Sequence, residues 1–150
     1  MINLLKGDEI VSSTYGLISA KKQQSAFSLD LTVNSISIVH RGGALDFGGS
    51  EYQEASVSLI EPEKKTPDEP YGWWNLGPGD YLIRYNEKIE IQGLIMILPH
   101  ERLLAAGASH AQFAVQNLDQ SIVVPIHVGA QGLRIKENAR VSKAVVLSGR

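Results

Sequence analysis

Three short stretches of the 150-residue chain hold the side chains best suited to chemistry. The first is Pro99-His100-Glu101-Arg102-Leu103-Leu104-Ala105-Ala106-Gly107, where an imidazole, a carboxylate and a guanidinium stand side by side. Its pattern predicts a helical turn or two from Glu101 to Ala106, closed by Gly107. Arg102 can meet an anion there. Glu101 has two readings, a favourable partner for the helix dipole or a metal ligand bridging to phosphate. Placed about 5 Å from a phosphate oxygen at an effective dielectric near 20, it would cost on the order of 3 kcal/mol. The second stretch is Gln116-Asn117-Leu118-Asp119-Gln120-Ser121. Within this stretch Asn117 cannot take a proton and Asp119 can, while Asn-x-Asp composition predicts a plain turn aspartate. The third, Ala139-Arg140-Val141-Ser142-Lys143, carries two cations, with Arg140 either an anion ligand or one half of a structural ion pair.

The elements that must position these groups are strands. Leu29, Leu31 and Val33 alternate with Asp30, Thr32 and Asn34, Ile36 and Ile38 continue after a shift, and Tyr81, Ile83 and Tyr85 alternate with Leu82, Arg84 and Asn86. Ser56 to Ile60, Leu94 to Leu98, Gln112 to Val115, Ile122 to Val128 and Val141 to Leu147 add further strands, several apolar on both faces, as in sandwiched strands or subunit contacts. Gly77-Pro78-Gly79-Asp80 is a turn that starts a strand with Tyr81 directed inward. Helix is scarce, with one short segment from Lys6 to Ser12 besides that at Glu101. Glu61 to Pro70 holds three prolines and reads as an exposed loop. Many short strands with Gly and Pro punctuation predict an all-β fold, a barrel or jelly roll, in a single domain over residues 1–150.

Composition removes several function classes. Fourteen basic and sixteen acidic residues in mixed order give a formal charge of -2, with no broad cationic field for nucleic acid. The absence of cysteine excludes disulfides, thiolate nucleophiles and Cys-ligated zinc. His40, His110 and His127 lack metal-ligand spacing and read as satisfied or surface histidines, so no metal ligands are assigned. The amino terminus has too short an apolar run for a signal peptide, and no stretch approaches the roughly 20 apolar residues of a membrane helix. A cytoplasmic protein with no membrane partner is expected.

Ser28-Leu29-Asp30-Leu31-Thr32-Val33, Leu76-Gly77-Pro78-Gly79-Asp80-Tyr81 with Asn86-Glu87, Pro99 to Gly107, and Gly132 to Ile135 with Ala139-Arg140-Val141 together resemble the dUTPase and dCTP deaminase superfamily. The resemblance spans roughly residues 26–147. It looks closest to compact archaeal dUTPase-like members, which carry a segment similar to Gly43-Ala44-Leu45-Asp46-Phe47 and a Trp-rich approach to the Pro-Gly turn, here Trp73-Trp74. It implies an all-β, distorted jelly-roll β-barrel, a homotrimer with sites between subunits, and pyrimidine deoxynucleotide handling. The nominal activity is dUTP hydrolysis to dUMP and pyrophosphate with Mg²⁺, and dCTP deamination is a further option. Mapped onto this chain, it makes His100, Glu101, Arg102, Gln116, Asn117, Arg140 and Lys143 substrate-binding candidates and Asp119 the catalytic one. The motifs are degenerate. Family members usually read Pro-Arg-Ser-Ser-Leu and a later Arg where this chain has Pro99-His100-Glu101-Arg102-Leu103 and Ala105, and a carboxylate where it has Asn117. The alternative is a catalytically silent homotrimeric binding or scaffold protein. One of the two tryptophans is expected in the core or a subunit contact, with base stacking as the other option.

Overall fold

The computed structural model describes residues 1–149. In chain order it runs β1 (Asn3–Leu4), α1 (Gly7–Ser12), β2 (Thr14–Tyr15), α2 (Ala20–Gln23), β3 (Leu29–Arg41), β4 (Ser56–Ile60), β5 (Trp73–Leu76), β6 (Gly79–Tyr85) and β7 (Lys88–Pro99). There follow α3 (Glu101–Ala105), β8 (Ala108–Ser109), β9 (Phe113–Leu118), β10 (Val124–Val128), β11 (Leu133–Lys136) and β12 (Arg140–Ser148). The fold is all-β with few short helices. One antiparallel sheet has the order β2-β7-β12-β3-β6-β10-β8, with β1 on β12, β4 on β3 and β9 on β7, and a separate two-stranded ribbon pairs β11 with β5. Among the described residues no helix is long and apolar enough to cross a membrane.

β3 joins the two layers of this distorted jelly roll. Its first residues, Leu29 to Thr32, pair with β12; from Val33 to Ile38 it pairs with β6, and from Ile36 onward also with β4. Irregularities between Val33 and Ser35 and between Arg140 and Ser142 mark the place where the strand leaves one layer for the other, as bulges do at sheet corners. The period-2 apolar sets meet inside: Leu29, Leu31, Val33, Ile36, Ile83, Tyr85, Ile95, Ile97, Ala144 and Val146 all lie in one buried cluster.

Alternation alone puts Asp30 and Thr32 on the solvent side of β3, yet both are buried. Helices cover them. Gln23, at the end of α2, donates from Nε2 to the Asp30 carbonyl at 2.8 Å and to Glu87 Oε2 at 2.9 Å, while its Oε1 accepts from the Ile18 and Ser19 amides. Glu87, fully buried in the turn between β6 and β7, also accepts from the Thr32 amide at 2.7 Å and the Thr32 hydroxyl at 2.5 Å. Burial pushes its pKa up, opposed by the bonds from Thr32 and Gln23. Asn86 extends the network by donating to Thr32 Oγ1 and to Asn138 Oδ1, both at 2.9 Å. Asn138 sits in the turn between β11 and β12 with φ +65°, a conformation asparagine adopts more readily than most residues.

Besides the short strands β1, β2 and β8 and the later start of β10, the elements differ from the sequence expectation in three places that bear on the site. β9 extends through Gln116 and Asn117 to Leu118, so these two lie in a strand paired with β7, Asn117 opposite Glu90. α2 has no apolar periodicity to announce it and is held by its Ser19 cap and Gln23. The β5–β11 ribbon is not apparent from sequence because each strand is four residues long. Replacing Glu87 by alanine strands the Thr32 amide and the Gln23 side chain in the core; the expected loss is about 3–5 kcal/mol. It should be read as a lower urea midpoint at unchanged slope, and a loss under about 1 kcal/mol would show that the network does not anchor the fold.

Candidate functional site

α3 begins where β7 ends. The cap is the His100 ring, whose Nδ1 accepts from the Arg102 amide at 3.0 Å. An acceptor Nδ1 places the ring proton on Nε2, which points at Asp30 Oδ2 at 3.3 Å. Arg140 Nη1 reaches the same oxygen at 3.3 Å and the Lys22 carbonyl at 3.2 Å. Both His100 nitrogens are therefore occupied inside the protein, and one of the α3 amides is already capped. Arg140 is the ion-pair partner of Asp30 while its side chain remains 31% exposed. Among the described residues Asp30 Oδ1 is buried without a hydrogen-bond partner.

Glu101 is exposed and paired with Lys143, at 2.8 Å from Oε2 and 3.0 Å from Oε1. The bond from Lys143 lowers the Glu101 pKa. The repulsion expected between Glu101 and a phosphate is thus offset within the chain, and Lys143 is engaged in offsetting it. Gly107, just after α3, adopts φ +103° and its amide bonds back to Leu104, the helix end expected from sequence.

Arg102 and Arg140 open onto a groove of about 350 Å³ between α3 and the β5–β11 ribbon, lined also by Trp73, Arg134, Lys136 and Asn138. Among the described residues four cations line it and no carboxylate does. Among the described residues no carboxylate lies within ion-pair distance of Arg102, Arg134 or Lys136. The volume falls within the range of small-ligand sites, about 300–1,000 Å³. Arg134, Lys136 and Trp73 were not singled out as anion-site residues by the sequence. The available signal was spacing: Trp73 with Asn75, and Arg134 with Lys136, are two apart and so share a strand face.

Behind α3 lies a second polar chain. His110 Nδ1 is 2.8 Å from the Ala111 carbonyl, which can only accept, so Nδ1 carries the proton and Nε2 accepts from the Ser142 hydroxyl at 2.8 Å. Ser142 in turn accepts from the Tyr85 hydroxyl at 2.6 Å. Ser142 is fully buried, which withholds this Ser–His pair from any substrate. Burial pushes the Tyr85 pKa up and the His110 pKa down. His40 and His127 lie at the surface, bonded to Ser58 and Asp80.

Gln116, Asn117 and Asp119 stand elsewhere. β9 runs antiparallel to β7, with Phe113 opposite Ile97 and Leu118 opposite Ile89. Asp119 therefore lies at the end of β7 remote from α3, roughly 30 Å away at strand spacing. Its carboxylate accepts from the Ser121 amide at 2.8 Å and the Ser121 hydroxyl at 2.5 Å, which lowers its pKa. Within one chain, Asp119 closes a turn and does not meet Arg102 or Arg140.

No family model matches this chain, and no curated protein matches it in sequence. Among solved structures it is similar to 2′-deoxycytidine 5′-triphosphate deaminase from Agrobacterium tumefaciens, at TM-score 0.62 and 12% identity, over 99% of this chain and 48% of that one. The chain has the dCTP deaminase fold. It spans about half the length of that deaminase. At this identity the shared property is the fold, the one that the motif resemblance implied.

His110 makes the pH dependence of stability testable. Burial holds its folded pKa below the ordinary histidine value of 6.5, so below pH 6.5 the unfolded chain binds a proton that the folded one resists. Its contribution is complete above that pH and is lost as pH falls toward the folded value. The melting temperature of wild type relative to His110→Gln should decline between pH 7 and pH 5; a constant difference would exclude a buried neutral His110.

Proposed function

We propose that this protein binds a deoxynucleoside phosphate of the dUTP or dCTP class at the groove between α3 and the β5–β11 ribbon, and turns it over slowly or not at all. The observation that carries the reading is the convergence of Arg102 and Arg140 on a carboxylate-free groove of ligand size, in a chain with the dCTP deaminase fold. Arg140, tethered by Asp30, supplies a fixed charge; Arg102, exposed and unpaired among the described residues, supplies an adjustable one.

Catalysis has less support. Hydrolysis and deamination both need a group that takes a proton from water beside the substrate. The carboxylates near α3 are Asp30, buried and ion-paired, and Glu101, paired with Lys143. Asp119 could serve only from a second copy of the chain, as the family arrangement of sites between subunits would require. Magnesium does not fit the groove as a protein-held ion, since its walls carry cations where Mg²⁺ needs oxygen ligands; among the described residues no group of three His, Asp or Glu side chains is placed to hold a metal.

The second reading, a silent homotrimeric scaffold, is favoured by the exposed apolar side chains of Val57 and Leu59 on the edge strand β4 and of Val123 before β10. Calorimetric titration with dUTP, dCTP and dUMP, with assays for pyrophosphate and ammonia, separates the two. We expect binding that falls about 10-fold or more in Arg102→Ala, and turnover below about 1 per second. Turnover at or above that rate would refute the slow-catalysis reading. No heat from any nucleotide, with a trimer mass by light scattering, would replace the binding reading by the scaffold one.

The Glu101–Lys143 pair gives a separate expectation. Glu101→Ser should change nucleotide affinity little in the wild type, where Lys143 already offsets the charge, and should strengthen it several-fold in Lys143→Ala, where the bare carboxylate repels phosphate. Equal effects in the two backgrounds would show that the pair does not screen the site.

A further inference from the structure

The wall of the groove facing Arg102 and Arg140 is the β5–β11 ribbon. Its register sets Trp73 opposite Lys136 and Asn75 opposite Arg134. Strand alternation then puts these four side chains on one face and Trp74, Leu76, Leu133 and Ile135 on the other. The second face is bound to the core, with Trp74, Leu76 and Ile135 all buried and Trp74 Nε1 donating to the Ile60 carbonyl at 2.8 Å. The first face is a cation platform. The Arg134 guanidinium lies 4.5 Å from the Trp73 ring centroid and its Nε donates to Asn75 Oδ1 at 3.1 Å; Lys136 Nζ lies 5.6 Å from the same ring.

This arrangement holds like charges together. Long cationic side chains on an exposed ribbon normally spread into water, but here two of them share one indole, which attracts cations through its quadrupole. With Arg102 and Arg140 opposite, the groove gathers four cationic side chains, of which Arg140 is ion-paired with Asp30 and the other three have no carboxylate within ion-pair distance among the described residues. A monophosphate brings only about -1.5 to -2. A run of contiguous phosphates is the chemistry that matches three uncompensated cations on the two walls of a narrow groove.

We infer that Arg134 and Lys136 determine specificity by binding the distal phosphates of a polyphosphate chain, and that Trp73 is a positioning residue that holds the two cations and does not stack on a base. The inference rests on the groove being the ligand site proposed above and adds that the phosphate chain, more than the nucleoside, supplies the affinity. Arg134 and Lys136 are exposed and Trp73 is half-buried, so substitutions of the two cations leave the core untouched.

The test compares inorganic tripolyphosphate, dUTP and dUMP by calorimetry on wild type, Arg134→Ala/Lys136→Ala and Trp73→Leu, with melting temperatures to verify folding. Tripolyphosphate should bind within about tenfold of dUTP, and the double variant should lower both affinities by about 100-fold while changing that of dUMP less than about threefold. Trp73→Leu should give a smaller loss in the same direction, for tripolyphosphate as well as dUTP. Binding of dUTP without tripolyphosphate would overturn this inference and leave the nucleotide reading standing. Binding of tripolyphosphate without any nucleotide would keep the inference and remove the nucleotide reading. Equal losses for dUMP and dUTP in the double variant would overturn the division of labour between the walls, and a Trp73→Leu defect confined to nucleotides would restore base stacking.

Discussion

The buried carboxylate of Glu87 is the constraint around which the candidate site is organised. A carboxylate in a core is tolerated only if its lone pairs are met, and here they are met by two groups of Thr32 and by Gln23. Thr32 and Gln23 belong to different parts of the chain. Thr32 fixes β3 where it passes from one layer to the other, Gln23 fastens α2 over Asp30, and Asn86 carries the network to Asn138 in the turn that leads into β12. The polar network therefore sets the position of Arg140 without touching any ligand.

The α3 end shows how charges are distributed around such an anchor. Asp30 is tied to His100 and Arg140, and Glu101 to Lys143. Both acids of the region are thus committed to partners of their own. Among the described residues, Arg102 on one wall and Arg134 with Lys136 on the other have no carboxylate within ion-pair distance. A set of cations without counter-charges is unfavourable in the empty protein and becomes favourable when an anion enters, which is how a ligand site differs electrostatically from a structural ion-pair network.

The dCTP deaminase fold supplies a scaffold, and function depends on the groups grafted onto it. In this chain those groups suit holding an anion better than activating water. The buried Tyr85–Ser142–His110 chain illustrates the point, since its order of donors and acceptors resembles a nucleophile relay while the absence of exposure makes it structural.

Much of the fold was legible in the sequence because it depends on local pattern. Period-2 apolar spacing marked β3 and β6, an apolar run marked β12, the Pro78-Gly79 turn placed Tyr81 inward, and Gly107 ended α3. The motif order implied the fold that the structural likeness bears out, and Arg102 and Arg140 were already the cations of interest. Tertiary structure decided the rest, because pairing between distant segments has no local signature. Only the register of β5 with β11 puts Arg134 and Lys136 on Trp73, only the approach of β12 to α3 turns Glu101 from a repulsive charge into a paired one, and only helix cover buries Asp30 on a strand whose alternation had placed it in water. Side-chain type and spacing determine which chemistry a residue can do; neighbours brought in from other elements of the fold decide whether its charge is screened, buried or free to meet a ligand.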